Sequence, residues 1–167
     1  MIIIGIDPGT TAIGFAALES GRPPHLLEAG LFPIAACDQS GRLAELHRAM
    51  AGLIARIKPD AVAVEKLFFA KNAKTAMTVA EARGVILLTA ALARVTVYEY
   101  APVEIKKTVA GHGGADKKAV EKMLFLTLPE TRTIRARDDV FDAIAVALTC
   151  HFLEFSRFNQ QGRDTKK

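Results

Sequence analysis

Four carboxylates in this sequence stand where solvation alone would not put them. Asp7 closes the apolar run MIIIGI, and Glu65 closes AVAV. Asp139 and Asp142 head an apolar stretch that continues AIAVAL, and their spacing places both on one helix face. Asp138 can face Asp142 too, so spacing leaves Asp138 and Asp139 both open. Strand ends and a helix start can meet at one edge of a sheet. Carboxylates gathered there repel and raise one another's proton affinity unless a cation neutralises them. Hard oxygen donors favour Mg²⁺, with Mn²⁺ as the other suitable ion, and no Cys/His cluster points to Zn²⁺. A two-ion carboxylate site can activate water and stabilise the leaving oxygen of a phosphodiester. Singly, each acid has an ordinary explanation: Asp-Pro-Gly as a turn, Glu65 as a solvated strand end, Asp138 and Asp139 as helix N-terminal acids. Asp142 lies inside the apolar pattern and resists one, and the four together outweigh the separate accounts.

The elements that must position these acids are readable from hydrophobic spacing. Met1 to Ile6 reads as a buried strand, Ala12 to Glu19 as a second and His25 to Ile34 as a third. Leu43, Leu46, Met50, Leu53, Ile54 and Ile57 fall at helical spacing over Arg42 to Lys58, and Pro59-Asp60 ends that helix. AVAVE is a short buried strand. Asn72 can cap a long helix to about Arg94, followed by the strand VTVYEY. Pro102 opens a helix to about Ala110, GHGGA is a loop, and Asp116 to Leu126 is a further helix. Pro129 to Arg137 reads as a polar, basic connection, and a final helix runs from Asp138 or Asp139 to about Phe155. Three strands followed by alternating helices and strands predict an α/β layer: an antiparallel meander with a parallel extension.

The charge distribution says more than the net charge. Lys and Arg number 22 against 18 Asp and Glu, a balance of +4. Residues 1–65 carry −2, residues 66–137 carry +7 and residues 138–167 carry −1. A clustered positive excess suits a polyanion partner. The 167 residues, half of them hydrophobic, exclude wholesale disorder and suit a single domain over residues 1–157 with a polar tail at 158–167. The stretch Val85 to Ala93 is too short to span a bilayer, so no membrane partner is expected. MIIIGIDPG has no basic n-region and does not read as a signal peptide. Cys37 and Cys150 make neither a metal spacing nor a disulfide framework, which suits the cytoplasm.

Four segments are recognisable: IGIDPGTTAIGFA, VEKLFFAKNAKTAMTVAEARGV, VYEYAPVEIKKTVAGHGGADKKAV and DDVFDAIAVAL. In order and spacing they resemble the RuvC family of bacterial Holliday-junction resolvases, from Met1 to about His151. The resemblance implies an RNase H-like fold with a mixed five-stranded sheet flanked by helices. It implies a homodimer that nicks two symmetric strands of a four-way DNA junction with divalent metal. The family's four catalytic, metal-holding acids correspond to Asp7, Glu65, Asp139 and Asp142, its Asp-x-x-Asp register favouring Asp139. Some relatives carry histidine at that position.

Basic and aromatic residues acquire roles by the same resemblance. Lys106 and Lys117 match lysines that contact DNA phosphate near the scissile bond; an ammonium neutralises phosphate and releases counterions. Lys107 and Lys118 adjoin them and can supplement, and Lys71 and Lys74 are weaker phosphate contacts. Without the family match, all would read as solvated surface. Phe68 matches a junction-core aromatic suited to stacking on unpaired bases, while Phe69 is expected in the core. His112, between glycines, reads equally as a phosphate contact or a surface residue. The helix bearing Ala76, Ala80, Arg83, Gly84, Leu87 and Leu88 resembles the family's dimer helix; ordinary packing on its own sheet is the alternative, and one helix can do both. Phe152, Phe155 and Phe158 read as core or interface packing. Lys66 departs from relatives that carry a neutral amide there. RuvA and RuvB enter as partners through the family only. Two competing readings are a non-catalytic junction-binding protein of the same fold and an actin-like phosphate-loop ATPase, suggested by IGIDPGTT. The ATPase would need two lobes and usually more than twice this length.

Overall fold

The computed structural model describes residues 1–9, 12–66, 73–135 and 138–164, leaving aside the side chains of 73–75 and 156–164. Strand β1 (Ile2–Asp7) pairs antiparallel with β2 (Gly14–Glu19), and β2 pairs antiparallel with β3 (His25–Leu31). Helix α1 (Gln39–Ile57) returns the chain to β4 (Ala61–Glu65), which lies parallel to β1. Helix α2 (Ala73–Leu92) leads to β5 (Thr96–Tyr100), parallel to β4. The sheet order is β3-β2-β1-β4-β5. Helices α3 (Pro102–Ala110) and α4 (Lys117–Thr127), a 3₁₀ turn at Pro129–Thr133 and α5 (Asp138–Asp164) complete the fold. The expected meander with a parallel extension is what forms.

Local chemistry sets the element ends. Asp38 caps α1 by accepting from the Gly41 N–H at 2.9 Å, and Asp116 caps α4 by accepting from the Ala119 N–H at 2.8 Å. Gly111 closes α3 with φ +86°, a left-handed conformation that favours glycine. Several boundaries differ from the sequence reading. Strand β2 begins at Gly14 and β3 stops at Leu31, the last pair of their ladder, with one further bond from the Phe32 N–H to the Ile13 carbonyl at 3.0 Å. The cap at Asp38 starts α1 earlier than its apolar spacing does. The connection after α4 contains the 3₁₀ turn, and α5 continues to Asp164, past the last apolar residues. Asn72 lies outside the described residues.

Alternation along the strands decides where the acids point. Successive strand side chains face opposite sides of a sheet. On β1 and β4, Ile4, Ile6, Val62 and Val64 pack against α1 and α2. Ile3 and Ala63 pack on the other side, with α3, α4 and α5. Asp7 and Glu65 share the parity of Ile3 and Ala63, so both face α5. At the closest approach of α5 to the sheet the residues are small: Gly5, Gly14, Ala16 and Ala63 on the sheet, Ala143 and Ala147 on the helix. A Cβ on Gly5 would overlap the Ala143 carbonyl and the Ala147 amide, and a Cβ on Gly14 would overlap the Asp139 carbonyl. Helix and sheet touch almost backbone to backbone, which brings the first turn of α5 over the end of β1.

That contact predicts a contrast between glycines. Gly14→Ala should cost about 2 kcal/mol or more through overpacking against backbone that cannot yield. Gly52→Ala, on an exposed face of α1 with nothing within 4 Å of the added carbon, should stabilise by about 0.5–1 kcal/mol. Urea denaturation of the two variants checks both signs.

Candidate active site

The parallel register aligns Ile3 with Ala61 and Ile6 with Val64. Asp7 and Glu65, one residue further on, therefore stand side by side at the ends of adjacent strands. Burial first, and then the negative charges of Glu65, Asp142 and Asp139, push the Asp7 carboxyl up to about 7 from its ordinary 3.8. Glu65 rises to about 7 by burial and by Asp142, partly offset by Lys106 and Lys117. Four acids from two strands and one helix thus feel one another.

Asp138 and Asp139 separate clearly. Asp139 is half-buried, and its Oδ1 lies 3.0 Å from where a Cβ on Gly9 would stand, so glycine there leaves room for the carboxylate beside Asp7. Asp138 is exposed at the first position of α5. Lys117 Nζ bridges Asp138 Oδ2 at 3.3 Å and Asp142 Oδ2 at 3.2 Å. Among the described residues no three acidic or thiol or imidazole side chains are disposed to hold an ion together. The donor set nevertheless has the chemistry of a hard cation site: carboxylate oxygens whose mutual repulsion a divalent ion would relieve.

Beside the acids lies a cavity of about 260 Å³, lined by Glu65, Asp142, Lys106 and Lys117 over an apolar floor that includes Ile105 and Val120. Lys106 and Lys117, matched separately in the sequence, meet here. Lys107 and Lys118 are exposed on α3 and α4, and His112 is exposed in the loop between them. Lys66 is exposed, and its N–H donates to the Tyr100 carbonyl at 2.8 Å. Phe68, Phe69 and Lys71, and the side chain of Lys74, lie outside the described residues. Phe155 is half-buried and Phe152 is exposed, each packing a ring on His151. The side chain of Phe158 is outside the described set. Sequence reasoning missed the apolar floor, although Ile105 and Val120 belong to the helical patterns of α3 and α4. It also missed the Asp138 contact with Lys117, for which spacing carries no signal.

On α2, Gly84 is exposed and Ala76 and Ala80 are half-buried. Arg83 is turned inward to an ion pair with Glu99, and Leu87 packs against the α1–α2 core. The exposed face instead carries Met77 (64 %), Leu88 (57 %) and Leu92 (69 %), with Gly84 and the charged Glu81 among them.

The raised carboxyls fix a pH dependence of stability. The folded chain holds protons on Asp7 and Glu65 that the unfolded chain has released between about pH 4 and pH 7. Stability therefore falls as pH rises through that window, and the loss is complete above about pH 7. In EDTA, the melting temperature should be lower at pH 8 than at pH 5. Asp7→Asn should flatten the slope and exceed the parent at pH 8 by at least about 1 kcal/mol. An unchanged slope in Asp7→Asn would refute the repulsion.

Known proteins share this arrangement of strands and helices. A family model described as crossover junction endodeoxyribonuclease RuvC matches residues 3–151. The crossover junction endodeoxyribonuclease RuvC of Chloroflexus aggregans is 45% identical over 153 residues, 90% of this chain and 92% of that protein. The RuvC structure of Thermus thermophilus superposes with a TM-score of 0.83 at 32% identity, over 95% of this chain and 97% of that one. The T. thermophilus RuvC in complex with Holliday junction substrate gives 0.84 at 32% identity, over 95% and 96%. The sheet and its flanking helices are the RNase H-like fold of those structures. Matched in sequence and structure over nearly all of its length, this chain belongs to the RuvC family of crossover junction endodeoxyribonucleases.

Proposed function

We propose that the chain resolves four-way DNA junctions by paired, metal-dependent nicks in DNA recombination and repair. One observation carries this at the level of residues: Asp7, Glu65, Asp139 and Asp142 converge where Lys106 and Lys117 line the adjoining cavity. Acids for cations and ammonium groups for phosphate lie together, as hydrolysis of a phosphodiester requires. Neither the non-catalytic reading nor the phosphate-loop ATPase gains support from the fold.

Asp7, Glu65, Asp139 and Asp142 are the residues to hold Mg²⁺, or Mn²⁺, as two ions per site. When bound, the metal supplies Lewis-acid activation of water and charge stabilisation at the leaving oxygen. Lys106 and Lys117 orient the phosphate and offset its developing charge. Lys107, Lys118, Lys71 and Phe68 extend the DNA contact, the lysines toward backbone phosphate and the phenylalanine toward unpaired bases. Residues 1–157 form the nuclease domain.

Cutting both strands calls for two sites related by a two-fold axis, hence a homodimer. Helix α2 supports this reading, since it is apolar on the face toward its own core and again on the exposed Met77–Leu88–Leu92 face. Gly84 on that exposed face permits close helix approach. RuvA and RuvB, known partners of the family, are the proposed source of positioned junctions. No helix among the described residues is long and apolar enough to cross a membrane, and a cytoplasmic location suits the DNA substrate.

Two experiments test the proposal. A labelled mobile junction should be cut in Mg²⁺ and left intact in EDTA, with linear duplex spared. Asp7→Asn should slow cutting by at least ~10²-fold while junction affinity stays within about twofold. Wild-type cutting by Asp7→Asn would remove Asp7 from the site. Leu88→Glu should convert the dimer to monomer by light scattering and abolish paired incision, with its circular dichroism unchanged.

A further inference from the structure

Asp138 is the acid that spacing could not assign, and its geometry gives it a different task from its neighbours. It is 73% exposed, and the partner of its carboxylate is Lys117 Nζ at 3.3 Å. Asp139, the next residue, lies over Gly9 beside Asp7. The same Lys117 ammonium holds Asp142 Oδ2 at 3.2 Å. An ammonium at that distance leaves other lone pairs of the carboxylate open, but as a positive charge on the same group it repels a divalent ion there. Lys117 and metal therefore compete for Asp142. We propose that Asp138 is a positioning residue and not a metal ligand: with Asp142 it parks the Lys117 ammonium on the acidic centre, and the lysine would be freed for phosphate when Asp142 holds a divalent ion.

Asp138 and Lys117 are largely exposed, so the hold is weak and easily reversed, as a latch opened by metal must be. Lys117 sits at the first turn of α4, whose capped N-terminus at Asp116 fixes its base while the long side chain swings. Lys106 lines the same cavity yet makes no ion pair within 4.0 Å among the described residues, so it is the comparison that separates a specific latch from general positive charge.

The inference rests on the metal-nuclease reading of this site, and a DNA-free titration separates the two. Free Mn²⁺ is counted by electron paramagnetic resonance as it is added to the full chain. Lys117→Ala should bind Mn²⁺ about two- to fivefold more tightly than the parent, and Lys106→Ala should gain less. Asp138→Asn should loosen the lysine and tighten Mn²⁺ by up to about twofold, a gain that disappears when it is added to Lys117→Ala. Asp142→Asn should lose at least about tenfold. A tenfold loss in Asp138→Asn would make it a ligand and overturn the proposal. So would an equal gain in Lys106→Ala and Lys117→Ala. Unchanged affinity in Asp142→Asn would instead overturn the metal site itself. Because Asp138 and Lys117 are exposed, their variants should fold, and circular dichroism verifies this for all four positions.

Discussion

The near-contact of α5 with the sheet is the constraint on which the rest of the molecule depends. Gly5 and Gly14 let the backbone of α5 approach until its carbonyls and amides fill the space of a missing side chain. Only at that separation do Asp139 and Asp142, on the first turns of the helix, come within electrostatic range of Asp7 and Glu65. Strand parity turns two carboxylates to the helix side of the sheet, and helix packing supplies the other two. Large apolar residues surround this contact: Ile4, Ile6, Val62 and Val64 fill the α1–α2 side, and Ile3, Leu18, Ile144 and Leu148 are fully buried on the α5 side, each burial contributing about 1.5–3 kcal/mol. Both faces of the sheet thus carry hydrophobic stabilisation, and the α5 face is thin where Gly5 and Gly14 seat the helix backbone.

Electrostatics at the strand ends oppose that packing. Bringing carboxyls together in a half-desolvated corner raises the proton affinity of Asp7 and Glu65, so the fold carries an unfavourable interaction which a cation relieves. Positive charge nearby is supplied in two ways. Lys106 acts across the cavity, and Lys117 makes direct contact with Asp142. The basic excess of the central sequence is therefore partly local neutralisation of the acids and partly a surface for polyanion.

Much of this architecture is legible in the amino-acid sequence. Apolar runs ending in acids mark β1 and β4, and the Asp-x-x-Asp spacing puts two carboxylates on one face of α5. Parallel pairing of β1 with β4 follows from the intervening helix, and that pairing sets Asp7 beside Glu65. What spacing does not supply is distance across the fold. The choice between Asp138 and Asp139 depends on which side of α5 lies over Gly9, a tertiary fact. On α2 the apolar residues run round the whole helix, so periodicity does not distinguish its inner face from its outer one. The inward turn of Arg83 toward Glu99 is decided by a strand distant in sequence.

The thin seam under α5 has an unusual mutational character. Most buried interfaces fail when a side chain is shortened, because a void opens. At the closest approach glycine and alanine line both sides, so there is little to remove there. Damage at Gly5, Gly14, Ala143 or Ala147 can come chiefly by enlargement, and enlargement lifts the helix that carries Asp139 and Asp142. Toward enlargement, stability and chemistry therefore share one tolerance at this seam.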